Sequence, residues 1–98
     1  MSMSFYVYIL ASQRNGTLYI GHTDNLNRRM WQHLDGMPGS FTTKHLVHKL
    51  VHYEQFETRA GAFARERAMK KWRRVWKLEL IERFNPAWSD LYETLEPS

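Results

Sequence analysis

Two short runs of β-branched and aromatic residues, Phe5-Tyr6-Val7-Tyr8-Ile9-Leu10 and Thr17-Leu18-Tyr19-Ile20, stand on either side of Asn15-Gly16. Asn-Gly is the dipeptide that best supplies two positive φ angles, so the segment is predicted to fold as a β-hairpin with a tight reversal. Alternation puts Phe5, Val7 and Ile9 on one face of the first strand, with Tyr6, Tyr8 and Leu10 on the other.

Gly21 is expected to end the second strand, and Thr23-Asp24-Asn25 offers N-cap residues for a helix. Leu26, Met30 and Leu34 then recur at four-residue spacing and form an apolar stripe, with Arg29 and His33 beside it. At about 100° per residue, Arg28 turns away from Arg29. Gly36, Pro38, Gly39 and Ser40 close this helix. Val47 to Phe56 reads as a third strand with imperfect alternation. Thr58 caps a helix running through Ala60, Ala64, Ala68, Met69 and Trp72, and a further helical stretch covers Val75 to Arg83 after a bend. Asn85-Pro86 stops it, because the residue before proline avoids the helical region. Trp88 to Leu95 is expected to add one short turn. The order β-β-α-β-α-α predicts an α+β fold, a small three-stranded antiparallel sheet flanked by helices.

With 98 residues, 43% apolar, the chain is expected to form one domain, residues 1–98, around one compact core. Cysteine is absent, which excludes disulfide frameworks, zinc ribbons and thiol nucleophiles. No apolar run reaches the roughly 18–20 residues of a bilayer span. Met1 to Phe5 lacks the basic and apolar regions of a signal peptide, so a cytoplasmic protein with no membrane partner is expected.

The formal net charge of +4 is unevenly spread. Residues 59–77 carry eight Lys/Arg and one Glu, or +7; residues 78–98 carry one Arg and five Asp/Glu, or −4. Concentrated positive charge suits a polyanion such as nucleic acid, and equally suits a solvated helix face.

Common catalytic templates are missing: there is no GxxxxGK[ST] loop, no GxSxG elbow and no HExxH. His48 and His52 would lie roughly 13 Å apart along a strand, too far to share one ion, and are expected to be partly exposed. What remains is a pair of tyrosines, Tyr8 and Tyr19, on the two strands of one hairpin.

Here the sequence resembles the GIY-YIG nucleases. Tyr6-Val7-Tyr8 and Tyr19-Ile20-Gly21 look like the two half-motifs of that family, with Tyr6 where the family has its first Gly. The family's catalytic arginine follows the second motif's glycine by eight residues, which is Arg29, and several members carry a His one turn later, which is His33. A metal-binding Glu matches Glu66 and a downstream Asn matches Asn85. The likeness spans residues 4 to about 92. It is greatest to short single-domain members, and the chain is also similar to the N-terminal nuclease domain of the ABC excinuclease.

The resemblance implies a divalent-metal-dependent DNA endonuclease with catalytic Tyr8, Tyr19, Arg29, His33 and Asn85. Glu66 would hold Mg²⁺ or Mn²⁺, with a role in repair or recombination. Elementary chemistry agrees with these roles. Arg29 offers a planar fork suited to phosphate, and Glu66 is the only acidic residue between Arg59 and Lys77. A phenol of ordinary pKa about 10 is a poor base near neutrality, so nearby positive charge would be needed to lower Tyr8. Arg59, Lys70 and Arg73 fall on the helix side nearest Glu66 and are the expected phosphate contacts.

Each residue also has a plainer reading. The tyrosines can pack across the hairpin, and Glu66 with Lys70 is an i,i+4 pair worth about 0.2–0.5 kcal/mol. Trp72, Trp76 and Trp88 are expected to be core or helix-packing residues rather than base-stacking platforms. The competing functional expectation is a non-catalytic nucleic-acid-binding module of the same fold. A protein partner for targeting, and RNA in place of DNA, also stay open.

Overall fold

The computed structural model describes residues 4–35 and 47–95, with backbone alone at 32–35. Strands β1 (Phe5–Ala11) and β2 (Leu18–Thr23) lead into helix α1 (Leu26–Asp35). Strand β3 (Lys49–Phe56), helix α2 (Arg59–Lys71) and helix α3 (Arg74–Phe84) follow, and a 3₁₀ turn covers Leu91–Thr94. The element order is the β-β-α-β-α-α expected from the sequence. The sheet is antiparallel with order β2-β1-β3, so the most apolar strand is central and β2 is an edge.

The hairpin turn is wider than a two-residue reversal. Ser12 N donates to Thr17 O at 3.0 Å and Gly16 N to Gln13 O at 2.9 Å, enclosing a four-residue loop. Asn15 supplies the left-handed residue at φ 58°, which asparagine tolerates well. Strand β2 does not end at Gly21. It runs on to Thr23, with Gly21 paired to Tyr8 and His22 to Val7.

The alternation along β1 divides the core in two. Phe5, Val7 and Ile9 pack with Ile20, Val51, Ala62, Met69, Ile81 and Trp88 beneath α2 and α3. Tyr8 and Leu10 pack with Leu26, Met30, Val47 and Leu50 beneath α1. Burying each such aliphatic side chain contributes about 1.5–3 kcal/mol. The irregular pattern of β3 has a local cause. The register against β1 shifts between Ile9 and Leu10, which pair with His52 and Leu50, leaving Val51 as an extra bulged residue. Of the two histidines expected to be partly exposed, His48 is exposed just before the strand, whereas His52 is buried against Phe84 with ring centroids 4.6 Å apart.

Thr58 caps α2 by accepting from Gly61 N at 3.0 Å. The chain turns extended at Trp72 and Arg73 before α3 begins. After Asn85-Pro86, Trp88 adopts φ 55°, a conformation costing about 1–2 kcal/mol, and is fully buried with Nε1 donating to Glu82 at 2.7 Å. Trp72 is half-buried, and the exposed Trp76 packs against it with ring centroids 6.5 Å apart. Among the described residues, no helix is long and apolar enough to cross a membrane.

Candidate active site

Two pairs of polar side chains meet at the edge strand β2, one on each face of the sheet. On the α1 face, Tyr8 is 1% exposed and its oxygen accepts a hydrogen bond from Arg29 Nε at 3.2 Å. The Tyr8 and Tyr19 ring centroids are 6.3 Å apart, and Tyr19 also bonds Arg29. The turn before α1 sets this up. Asn25 N donates to Thr23 Oγ1 at 3.2 Å, and Arg28 N donates to Asn25 Oδ1 at 3.0 Å, so Asn25 is the cap that fixes where Arg29 emerges.

Burial pushes the Tyr8 phenol up to about 12, outweighing the downward pull of the Arg29 hydrogen bond. The Glu66 carboxylate adds a smaller upward push, which ties the two faces electrostatically. Arg29 is raised above its usual value, first by its bond to Tyr8, and stays a cation.

On the α2 face, Glu66 is 8% exposed and its Oε1 lies 3.0 Å from His22 Nδ1. Lys70 Nζ sits 3.5 Å from Oε2. Phe63 packs beside the His22 ring at a centroid distance of 5.5 Å. A cleft of about 230 Å³ lies at the end of β2, lined by His22, Thr23, Asp24, Asn25, Arg28, Arg29 and Arg59, and neither Tyr8, Tyr19 nor Glu66 is among its lining residues. Arg28, though exposed and turned from Arg29, borders the same cleft. Arg59 reaches Asp24 at 3.2 Å and rests over the Phe5 ring.

The residues named from the sequence are thus unequally placed. Tyr8, Tyr19 and Arg29 touch one another, and Glu66 stands across β2 from them. Lys70 touches Glu66 and Arg59 borders the cleft, while Arg73 sits at the N-cap of α3. Asn85 is 6% exposed and its amide is committed to main chain: it donates to Val51 O at 3.2 Å and Ser89 O at 2.8 Å, and accepts from Ser89 N at 3.1 Å. The His33 side chain lies outside the described residues. Tyr6, at the position of the family's glycine, is partly buried against the α1-side core.

His22 is not among the residues read from the sequence. Its signal was period two: Ile20 is buried on the α2 face, and His22 repeats that phase with a polar ring. A second network, also unread, lies on the same face of β3. Glu54 accepts a bidentate pair from Arg65 at 2.8 and 3.1 Å and meets His52 Nε2 at 2.8 Å. The His52 contact foremost, then Arg65, holds the Glu54 carboxyl down at about 2.

A single carboxylate is a sparse donor set, and among the described residues no group of three His, Asp or Glu could hold a metal. It still fits Mg²⁺, which keeps most of its waters and is often held by one or two carboxylates together with substrate phosphate.

Residues 4–79 match the model of the GIY-YIG catalytic domain. A UPF0213 protein of Syntrophus aciditrophicus is 40% identical over 82 residues, covering 83% of this chain and 92% of its own length. One from Natronomonas pharaonis is 36% identical over 81 residues, covering 83% and 94%. The solution structure of a UPF0213 protein from Bacillus halodurans superposes with a TM-score of 0.56 at 27% identity, over 90% of this chain and 93% of that one. On the match of residues 4–79 and the relatives that cover most of its length, this chain belongs to the GIY-YIG family, a nuclease family, alongside its small UPF0213 relatives.

Proposed function

We propose that residues 1–98 act as one GIY-YIG-like nuclease domain, a divalent-metal-dependent endonuclease that hydrolyses phosphodiester bonds in DNA. The observation that supports this reading is a pair of contacts, Arg29 with Tyr8 at 3.2 Å and His22 with Glu66 at 3.0 Å, whose members Arg29 and His22 both border one cleft. Nuclease membership of the family supports it.

The side chains divide the work by their chemistry. Arg29, a permanent cation with a planar fork, binds a phosphate oxygen and offsets charge developing on phosphorus. Tyr8 at about 12 is a neutral phenol near pH 7, so it orients water and phosphate; it accepts a proton only where further positive charge draws its pKa down. Tyr19, bonded to Arg29, holds the guanidinium in place. Glu66 is the residue to hold Mg²⁺ or Mn²⁺. When bound, such an ion supplies charge that offsets the phosphate and makes water more acidic.

His33, one turn beyond Arg29, is assigned a proton-relay role. Asn85 acts as a positioning residue that fastens the end of α3 to β3. Arg59, Lys70 and Arg73 bind flanking phosphates and orient the duplex without reading sequence. Structure-specific cleavage in repair or recombination, in the cytoplasm and guided by a protein partner, completes the proposed role.

The test is incubation of linear, nicked and branched DNA with the protein and Mg²⁺ or Mn²⁺, beside Glu66→Ala and Arg29→Ala. Metal-dependent cleavage lost in both variants is expected. Salt-sensitive binding without cleavage of any substrate would instead assign a non-catalytic DNA-binding module.

A further inference from the structure

His22 both borders the cleft and touches Glu66, whereas Asp24, the carboxylate in the cleft lining, is paired with Arg59. We infer that His22 is a second protein ligand of the cation held by Glu66, forming a nitrogen–oxygen pair that favours Mn²⁺-type ions over Mg²⁺. This rests on the reading of Glu66 as the metal-holding residue.

Three observations carry it. Nδ1 and Oε1 are 3.0 Å apart, and neighbouring ligands of an octahedral ion at about 2.1 Å also stand about 3.0 Å apart. An ion would replace the shared proton and lie to one side of the Nδ1–Oε1 line, about 2.1 Å from each atom. Lys70 occupies the neighbourhood of the other oxygen, Oε2, at 3.5 Å, which leaves Oε1 as the atom for a cation on the His22 side. Phe63 lies beside the imidazole, with ring centroids 5.5 Å apart, and borders the ring on one side.

Neutral imidazole can carry its proton on either nitrogen, and shifting it to Nε2 frees Nδ1 to ligate. Imidazole adds little affinity for Mg²⁺, a hard ion served by oxygen, and considerably more for first-row transition ions. A site with one carboxylate and one imidazole is accordingly expected to rank Mn²⁺ above Mg²⁺.

Mn²⁺ binding to the full chain can be followed by electron paramagnetic resonance, with pulsed measurement of nitrogen coupling to the bound ion. Glu66→Gln and His22→Gln serve as comparisons, the latter keeping an N–H donor towards Glu66 while removing the ring nitrogen. The expected result is nitrogen coupling in the unaltered protein, lost in both variants. Mn²⁺ affinity should also fall by at least about tenfold in His22→Gln, the lower end of what even an outer-shell partner costs. Mg²⁺ affinity, measured by competition, should change far less.

Mn²⁺ bound through Glu66 without nitrogen coupling, or with undiminished affinity in His22→Gln, overturns the inference and leaves the proposed function standing. It would make His22 only a hydrogen-bond partner of the carboxylate. No Mn²⁺ binding, or binding indifferent to Glu66→Gln, removes both. Should His22→Gln misfold, coupling in the unaltered protein that is lost in Glu66→Gln still supports the inference, and its absence still overturns it.

Discussion

Gly21 lies directly across from Tyr8 in the sheet, and a methyl group on it would come within 2.6 Å of the Tyr8 oxygen and 2.8 Å of its ring carbon Cζ. Glycine is required here by contact, since the Tyr8 ring passes over the backbone of β2 to reach Arg29. Tyr8 is too buried to swing aside. Gly21→Ala is expected to cost about 1–3 kcal/mol in urea unfolding, as overpacking does. It should also break the Arg29 contact and reduce cleavage more than stability alone explains. A stable variant with full activity would mean the ring can move freely.

The Tyr8 phenol gives the fold an alkaline limit. The unfolded chain releases this proton near pH 10 and the folded chain near 12, so the folded state binds more protons between those values. Its contribution is complete below pH 10 and lost as pH rises through 12, a decline of about 2–3 kcal/mol. Unfolding measured across this window should show the decline in the unaltered protein and a flatter profile in Tyr8→Phe.

Glu54 sets an acid limit of the opposite sense. Its carboxyl is held at about 2, so the stability it provides is present above the ordinary carboxylate range and lost as pH falls through 4.5 towards 2. Glu54→Gln is expected to destabilise by about 1–3 kcal/mol at neutral pH, because Arg65 and buried His52 lose their partner. Urea unfolding at pH 7 and at pH 3 checks this: the penalty should shrink at the lower pH.

Arg59 borders the same cleft as Arg29, and its ion pair with Asp24 joins two exposed side chains, a weak bond that phosphate can displace. Arg59→Ala should weaken binding to DNA of any sequence and reduce the slope of log affinity against log salt by about 0.9. An unchanged slope would place the phosphate path elsewhere.

The hairpin, the three-helix order and the core phase of β1 were legible because each depends on local periodicity. Leu26 and Met30 face the core as their spacing implies. What local pattern could not supply was cross-strand register. Gly21 reads as a strand end until Tyr8 is seen to cross it, and the uneven β3 makes sense only once Val51 is recognised as a bulge against β1. The candidate site was half legible. Tyr8, Tyr19, Arg29 and Glu66 carry the family's spacing, whereas His22 joins them through a pairing 44 residues distant in the chain. Asn85 shares the family's position, but its amide is spent on Val51 and Ser89, a commitment that depends on tertiary packing.

Under the proposed function, the Tyr8–Arg29 pair and the His22–Glu66 pair serve one scissile phosphate from two faces of one strand. A double-mutant cycle on the metal-dependent cleavage rate, with Arg29→Ala, Glu66→Ala and the combination, tests it most directly. Residues acting as a unit are grossly non-additive, so the double variant is expected to be no slower than the slower single variant. Losses that multiply, or a rate indifferent to either substitution, would contradict a shared centre.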